Sequence, residues 1–471
     1  MLIIATIIIY FAVLLLISRL TSRTANNDTF FRANRRSPWP LVAFGMIGAS
    51  ISGVTFVSVP GMVIDLNMTY LQTCLGFIVG YFIVAFLLLP VYYRLNLTTI
   101  YSYLKTRLGH RSYKTGAAFF ILSKMAGAAV RFYVVCIILQ QFVLQPYGLP
   151  FPLTVSIMVA LIWLYTRRGG IKTLVITDTF QTLCLFLALS LIIYKVTSAL
   201  DLTIPEAIKT IADSKHSEIF VFNDWMSKQN FWKQFISGIF IVIVMTGLDQ
   251  DMMQKNLTCR TLREAQKDMC TYGFAFLPVN LLFLALGTLL VSFFSRQSQP
   301  LPTSPDDLML LATAGGWLGS TVVSLFTIGV VAASFSSADS ALTALTTTYC
   351  VDLRERPNDE PLRRRAHLVI SVIFVIFILA FRLFNSTSLI DAVYIICSYT
   401  YGPLLGLFAF GLLTKYQAND RLVPHIAILS PLLCFVIEQA TKNLTDYHFG
   451  YELLMLNGFL TFVGLFITRR R

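Results

Sequence analysis

Residues 333–340 read Ala333-Ser-Phe-Ser-Ser-Ala-Asp-Ser340, and they lie inside an apolar stretch running from 318 to 348. The segment before them, Trp317 to Ala332, is long enough at about 1.5 Å of rise per residue to carry them toward the middle of a bilayer. Ser336, Ser337, Asp339 and Ser340 therefore place hydroxyl and carboxylate oxygens where hydrocarbon belongs. Polar groups inside a spanning helix mark an ion or substrate path. Oxygen ligands of this kind suit a small hard cation rather than a soft one. Serines also let two helices pack closely, but close packing gives no reason for a carboxylate among them.

The rest of the chain supports a membrane setting. Of 471 residues, 56% are hydrophobic and 13% charged, and mean hydropathy is +0.70; a soluble protein carries about 25% charged residues. Thirteen apolar segments follow one another, at 2–17, 39–60, 71–93, 115–144, 150–166, 173–194, 234–254, 270–294, 318–348, 366–384, 389–412, 422–440 and 450–468. Most reach the roughly 20 residues a spanning helix needs. The first is short, yet it lacks the basic start of a secretory signal, and Arg19 and Arg23 follow it instead. That order puts the N-terminus outside.

Alternating sides from there places 27 of the 37 Lys and Arg in cytoplasmic loops and eight outside, with Lys124 and Arg131 inside a span. The net charge of +13 is thus a positive-inside bias and calls for no nucleic-acid partner. The basic C-terminus, Arg469-Arg470-Arg471, falls in the cytoplasm. Eight cysteines show no CxxC or metal spacing and read as small core residues. No Gly-x-x-x-x-Gly-Lys loop is present, which argues against a P-loop pump, and no reaction chemistry is implied.

Two segments read as broken helices. One is Gly45-Met-Ile-Gly48-Ala-Ser50-Ile-Ser52-Gly53-Val-Thr55, a cluster of small and hydroxyl residues; the other is Met245-Thr246-Gly247-Leu-Asp249-Gln250-Asp251. Each opens a set of five segments, 39–194 and 234–412. Interrupted helices at matching positions of two halves point to an inverted repeat with its site at the midplane, because unwound backbone is tolerated at that depth only where it lines a cavity or binds something. The remaining parts are an N-terminal helix and cytoplasmic loop (1–38), an extracytoplasmic loop (195–233), and two C-terminal helices with a basic tail (413–471).

These residues resemble the sodium/solute symporter family, which includes sugar, iodide, proline and sialic acid carriers, and they look most like the bacterial sialic acid branch. The resemblance rests on Ser336-Ser337-Ala-Asp-Ser340 with the run Thr346 to Asp352, on Arg168 to Asp178, and on Gly247 to Gln254. It implies an all-α integral membrane protein of the LeuT type. Thirteen transmembrane helices would form two inverted five-helix repeats, with one extra helix before and two after.

The resemblance also implies a sodium site made by the carbonyls of Gly48, Ile51 and Ala333 and the hydroxyls of Ser336 and Ser337. Such neutral dipoles can replace an ion's water shell yet hold it weakly enough to release it. Some sialic acid carriers have a second sodium site, which maps to Asp178, Ser336 and Ser340, with Asp339 in place of a further serine. Two carboxylates there call for a cation. Lys124, at similar depth, is expected to pair with Asp339 or Asp178 and to stand in for the second sodium; a structural ion pair is the alternative.

For substrate, the sialic acid carriers have an arginine in the helix that here carries Arg131. Arginine grips a carboxylate through two parallel hydrogen bonds and keeps its charge on burial. Ser50, Ser52, Thr55, Tyr70 and Gln250 join it as expected pocket residues. Cys74 falls where those carriers have a substrate-contacting glutamine. The expectation is a sodium-coupled symporter, a multi-pass protein of the cell inner membrane, that imports a small carboxylated solute by alternating access. A neutral sugar, proton coupling or a transporter-like nutrient sensor are the alternative readings. A single chain suffices for this, and the sequence leaves the oligomeric state open.

Overall fold

The structure, a computed structural model, describes residues 2–22, 26–314, 318–384, 389–445, 447 and 449–470; Arg23, Trp317 and Arg471 lie outside these. Among the described residues nine helices are long and apolar enough to cross a membrane: Ile4–Thr21, Tyr70–Arg94, His110–Leu139, Ile171–Ala199, Leu262–Arg296, Gly319–Leu353, Glu360–Leu383, Ala392–Leu413 and Val423–Leu444. Two bent pairs add a span each, Trp39–Ser50 with Gly53–Leu66 and Phe231–Gly247 with Gln250–Asn256. Two shorter apolar helices, Phe151–Thr166 and Leu453–Ile467, stand at the remaining segments. The thirteen apolar segments of the sequence thus each form a helix or a bent pair, and they are numbered here in chain order as spans one to thirteen. Among the described residues the only β-pairing is two isolated bridges, Ser37 with Cys259 and Gln417 with Arg470.

The two breaks have local causes. In the second span the helix turns by 59°, and Ile51 (φ −81°, ψ 95°) and Ser52 (φ −86°, ψ 174°) are extended. The backbone ladder runs as far as Ile51 N–H to the Ile47 carbonyl and resumes with Phe56 N–H to the Ser52 carbonyl. The carbonyls of Gly48 through Ile51 are thereby released from it. In the seventh span a π-helical turn at Ile243–Gly247 leads into a 69° bend. Asp249, extended at φ −104°, then caps the returning half by accepting from the Asp251 N–H at 2.8 Å. A short polar side chain at that place competes with the ladder and restarts it.

Packing follows the inversion. The third span lies along the seventh, and its counterpart the eighth lies along the second; the fourth lies along the eleventh, and its counterpart the ninth lies along the sixth. Exchanging the two halves maps one set of contacts onto the other. The second span sits so close to the sixth that any side chain at Gly48 would collide with Thr182. The ninth span, which carries Ser336 to Ser340, is buried along almost its whole inner half.

Candidate functional site

Between the two breaks lies a cavity of about 110 Å³. One water needs roughly 10–15 Å³ so measured, so the space admits several waters or the head of a small solute. Its walls are Ser50, Ser52 and Thr55 from the second span, Tyr70 and Phe77 from the third, Lys124 and Arg131 from the fourth, Thr246, Asp249 and Asp251 from the seventh, Ser337 from the ninth, and Tyr394 and Tyr401 from the eleventh. Hydroxyls and aromatic rings meet in this lining. Ser50 Oγ and the Tyr272 hydroxyl are 2.5 Å apart, and Tyr81 donates to the Tyr272 hydroxyl at 2.7 Å. Tyr70 and Tyr394 join their hydroxyls at 3.0 Å.

Charge in this cavity is divided unequally between its two cations. Lys124 Nζ lies 2.6 Å from Asp251 and 3.1 Å from Asp249, and Asp249 also accepts from the Tyr401 hydroxyl at 2.6 Å. Lys124 is therefore fully used within the protein. This differs from the expected pairing with Asp339 or Asp178: the break in the seventh span carries two aspartates to the lysine first. Arg131 is one helical face further along, seven residues on and about 10 Å up the axis. Among the described residues it has no carboxylate at ion-pair distance.

The ammonium beside Asp178 belongs to Lys255 instead. Its Nζ is 2.8 Å from Asp178 Oδ2, and both side chains are at most 2% exposed. Asp178 Oδ1 accepts from Ser336 Oγ at 2.8 Å. Asp339 accepts from the Tyr165 hydroxyl at 2.6 Å and from Ser340 Oγ at 3.3 Å. Asp178, Ser336, Asp339 and Ser340 are all buried, and the lysine among them is Lys255 rather than the expected Lys124. Lys255 counted as a loop residue because apolar character ends at Gln254. Its only signal was the Asp251–Lys255 spacing of one helical turn, a pattern that more often marks a solvated helix end.

Of the expected sodium ligands, Ser337 reaches the break: its hydroxyl donates to the Ala49 carbonyl at 2.8 Å. Gly48 and Ile51 supply released carbonyls beside it. Ala333 lies one helical turn before Ser337 and is buried. Ser336 is turned to Asp178 rather than to the break.

Two expected pocket residues lie elsewhere. Cys74 is buried in the helix core, behind the cavity wall. Gln250 points away from the cavity and clamps the loop before the fourth span, accepting from the Ile100 N–H at 2.9 Å and donating to the Thr98 carbonyl at 3.2 Å. Tyr101 donates to the Leu248 carbonyl at 2.9 Å, and Gln254 donates to the Phe31 carbonyl at 2.8 Å.

A small polar cavity held between two broken helices, with released carbonyls in the second span, is the arrangement of a secondary transporter's site. The chain belongs to the sodium:solute symporter family, whose profile matches residues 30–421. It is therefore a multi-pass membrane transporter and not an enzyme, and sodium is the coupling ion of its family. It is 24% identical over 464 residues to the sodium/sialic acid symporter NanT of Aliivibrio fischeri, covering 93% of this chain and 88% of that one. Against the sodium/sialic acid symporter SiaT of Proteus mirabilis the identity is 24% over 467 residues, or 94% and 90% of the two chains. A solved Na+-coupled sialic acid symporter, substrate-bound and outward-open, shares the fold with a TM-score of 0.85 at 20% identity, over 99% of this chain and 97% of that one.

Proposed function

We propose that this protein is a sodium-coupled symporter that imports a small carboxylated solute, sialic acid or a related sugar acid, by alternating access. One observation carries the substrate class. Arg131 lines the cavity with no carboxylate partner among the described residues, while the neighbouring Lys124 is consumed by Asp249 and Asp251. A permanently charged guanidinium held in a span is costly without a counter-ion, and a substrate carboxylate provides one in the two-bond geometry arginine favours. Ser50, Ser52 and Thr55 would meet the hydroxyls of the solute, and Tyr70 would pack on its face. The names of the two bacterial relatives agree with this class.

The transported sodium would sit at the break in the second span. Its ligands would be the carbonyls of Gly48, Ile51 and Ala333 and the hydroxyls of Ser337 and, once turned from Asp178, Ser336. The donor set fits a hard cation bound without a fixed anion. At the neighbouring cluster Asp178 is ion-paired with Lys255, and Asp339 accepts from Tyr165 and Ser340. The Lys255 ammonium is then the cation of that place, and one sodium accompanies each substrate. The charge bias of the loops supports an inner-membrane protein with its N-terminus outside and its C-terminus in the cytoplasm. The two five-helix repeats would span 39–194 and 234–412.

The test is uptake of labelled N-acetylneuraminate into proteoliposomes with and without an inward sodium gradient. Accumulation that requires the gradient supports the reading. Uptake driven equally by a pH gradient in sodium-free buffer would refute the sodium coupling.

A further inference from the structure

The connection between the eleventh and twelfth spans folds against the start of the fourth span and the end of the thirteenth. Together they form an open concavity of about 750 Å³, lined by Arg111, Lys415, Arg421 and Arg470 among others. The Arg470 N–H donates to the Gln417 carbonyl at 2.9 Å and closes one wall. These basic residues come from three separate parts of the chain, so loop composition alone does not explain their convergence.

Asp420 is the acidic residue in the lining, and it is already engaged. It accepts from the N–H groups of Arg111 at 2.9 Å and Ser112 at 2.7 Å and from Ser112 Oγ at 2.7 Å. Burial alone would raise its pKa, but the donors from Arg111 and Ser112 outweigh that and hold it below the ordinary carboxylate value. It stays ionised as the cap of the fourth span and offsets at most one of four positive charges. Among the described residues none of the four cations has a carboxylate at ion-pair distance. Like charges gathered in one concavity repel unless an anion joins them, and a phosphate accepts several such donors at once.

Exposed apolar residues that flank the pocket's lining along the chain indicate how that phosphate is presented. Leu413 and Ile467, which end the eleventh and thirteenth spans, are each 74% exposed, and Tyr416 and Leu422 add further exposed apolar surface. A free phosphate has no use for such a surface, whereas lipid acyl chains lie along it. We infer that this pocket binds the phosphate headgroup of an anionic phospholipid, with the acyl chains seated over Leu413 and Ile467. Basic pockets between helices on the cytoplasmic side are suited to such headgroups.

The experiment follows thermal unfolding of the full-length protein in detergent with added dioleoylphosphatidylglycerol, dioleoylphosphatidylcholine or inorganic phosphate. Phosphatidylglycerol should protect at a concentration about tenfold lower than phosphatidylcholine. The Arg421→Gln/Arg470→Gln protein should need about tenfold more phosphatidylglycerol, while Arg421→Lys/Arg470→Lys should stay near wild type. Equal protection by the two lipids, or protection unchanged in the glutamine variant, overturns the inference. Protection by inorganic phosphate that matches phosphatidylglycerol overturns the lipid assignment in favour of a soluble anion.

Discussion

Lys255 Nζ lies 2.8 Å from Asp178 Oδ2, deep in the protein, and joins the returning half of the broken seventh span to the sixth. Because Asp178 also accepts from Ser336, the contact joins the seventh and sixth spans to the helix that carries the serine cluster. Two charges in a dry interior cost several kcal/mol of desolvation, about the size of what their attraction returns. The pair therefore fixes geometry more than it adds net stability.

Removing one partner should show this. Lys255→Met leaves Asp178 buried and unpaired, a loss of about 3–5 kcal/mol. The melting temperature in detergent should fall sharply, and Lys255→Met/Asp178→Asn should recover part of it. No recovery in the double variant would mean that Lys255 acts through other partners.

Sodium dependence should be simple. A Hill coefficient near one is expected for sodium-driven uptake, and a value near two would sink the idea that Lys255 serves as the second cation. Ser337→Ala removes a hydroxyl from the break at a cost of about 1 kcal/mol. The half-saturating sodium concentration should then rise about fivefold.

Arg131→Ala should weaken carboxylated substrates first. A charge-assisted hydrogen bond is worth about 1.5–3 kcal/mol, so apparent affinity should fall by about 10- to 150-fold. Competition by neutral sugars should be little changed. Unchanged affinity for the carboxylated solute would remove the carboxylate grip from the account.

Cys74→Ala should leave substrate affinity as it is, since Cys74 lies in the helix core off the cavity wall. Gln250→Ala should act on turnover instead, because Gln250 is outside the cavity lining and its bonds hold the Thr98–Ile100 loop against the seventh span. Uptake kinetics separate the two: a raised KM for the Cys74 variant, or for Gln250→Ala a raised KM with unchanged maximal rate, would contradict the placement.

Glu355 offers a pH test away from the membrane interior. It accepts from Lys114 at 2.6 Å and Lys105 at 3.0 Å, and those bonds hold its carboxyl down at about 2. Its folded pKa is depressed, so its contribution is present above the ordinary value of 4.5 and is lost as pH falls toward 2. The gap in melting temperature between wild type and Glu355→Gln should be small at neutral pH, since the side chains are part exposed. It should close further on acidification below about 4.5. A gap that widened in acid would show that the sign is wrong.

Several features were legible before the fold was seen because each depends on local composition. Helices follow from runs of apolar residues: among the described residues nine of the thirteen segments form helices long enough to cross a membrane, two form bent pairs, and two form shorter apolar helices. The breaks at Ser50–Ser52 and Leu248–Asp249 follow from small, hydroxyl and aspartate residues that compete with the helix ladder. The serine cluster was readable as a buried polar site for the same reason. Lys124 and Arg131 stood out as charges in a span, yet their partners did not.

What the sequence by itself determined is the membrane class, the positions of the apolar helices and the two breaks. Only the tertiary structure decided which lysine meets which aspartate. Depth along a straight helix can be counted from the sequence, and that count placed Lys124 level with Asp178. A 69° turn at Gly247 to Gln250 is not countable in this way. It brings Asp249 and Asp251 to Lys124 and carries Lys255, past the end of the apolar run, back inside to Asp178. Buried charges pair with whatever opposite charge lies within a few ångströms, and that distance is set by the bend, not by the spacing along the chain.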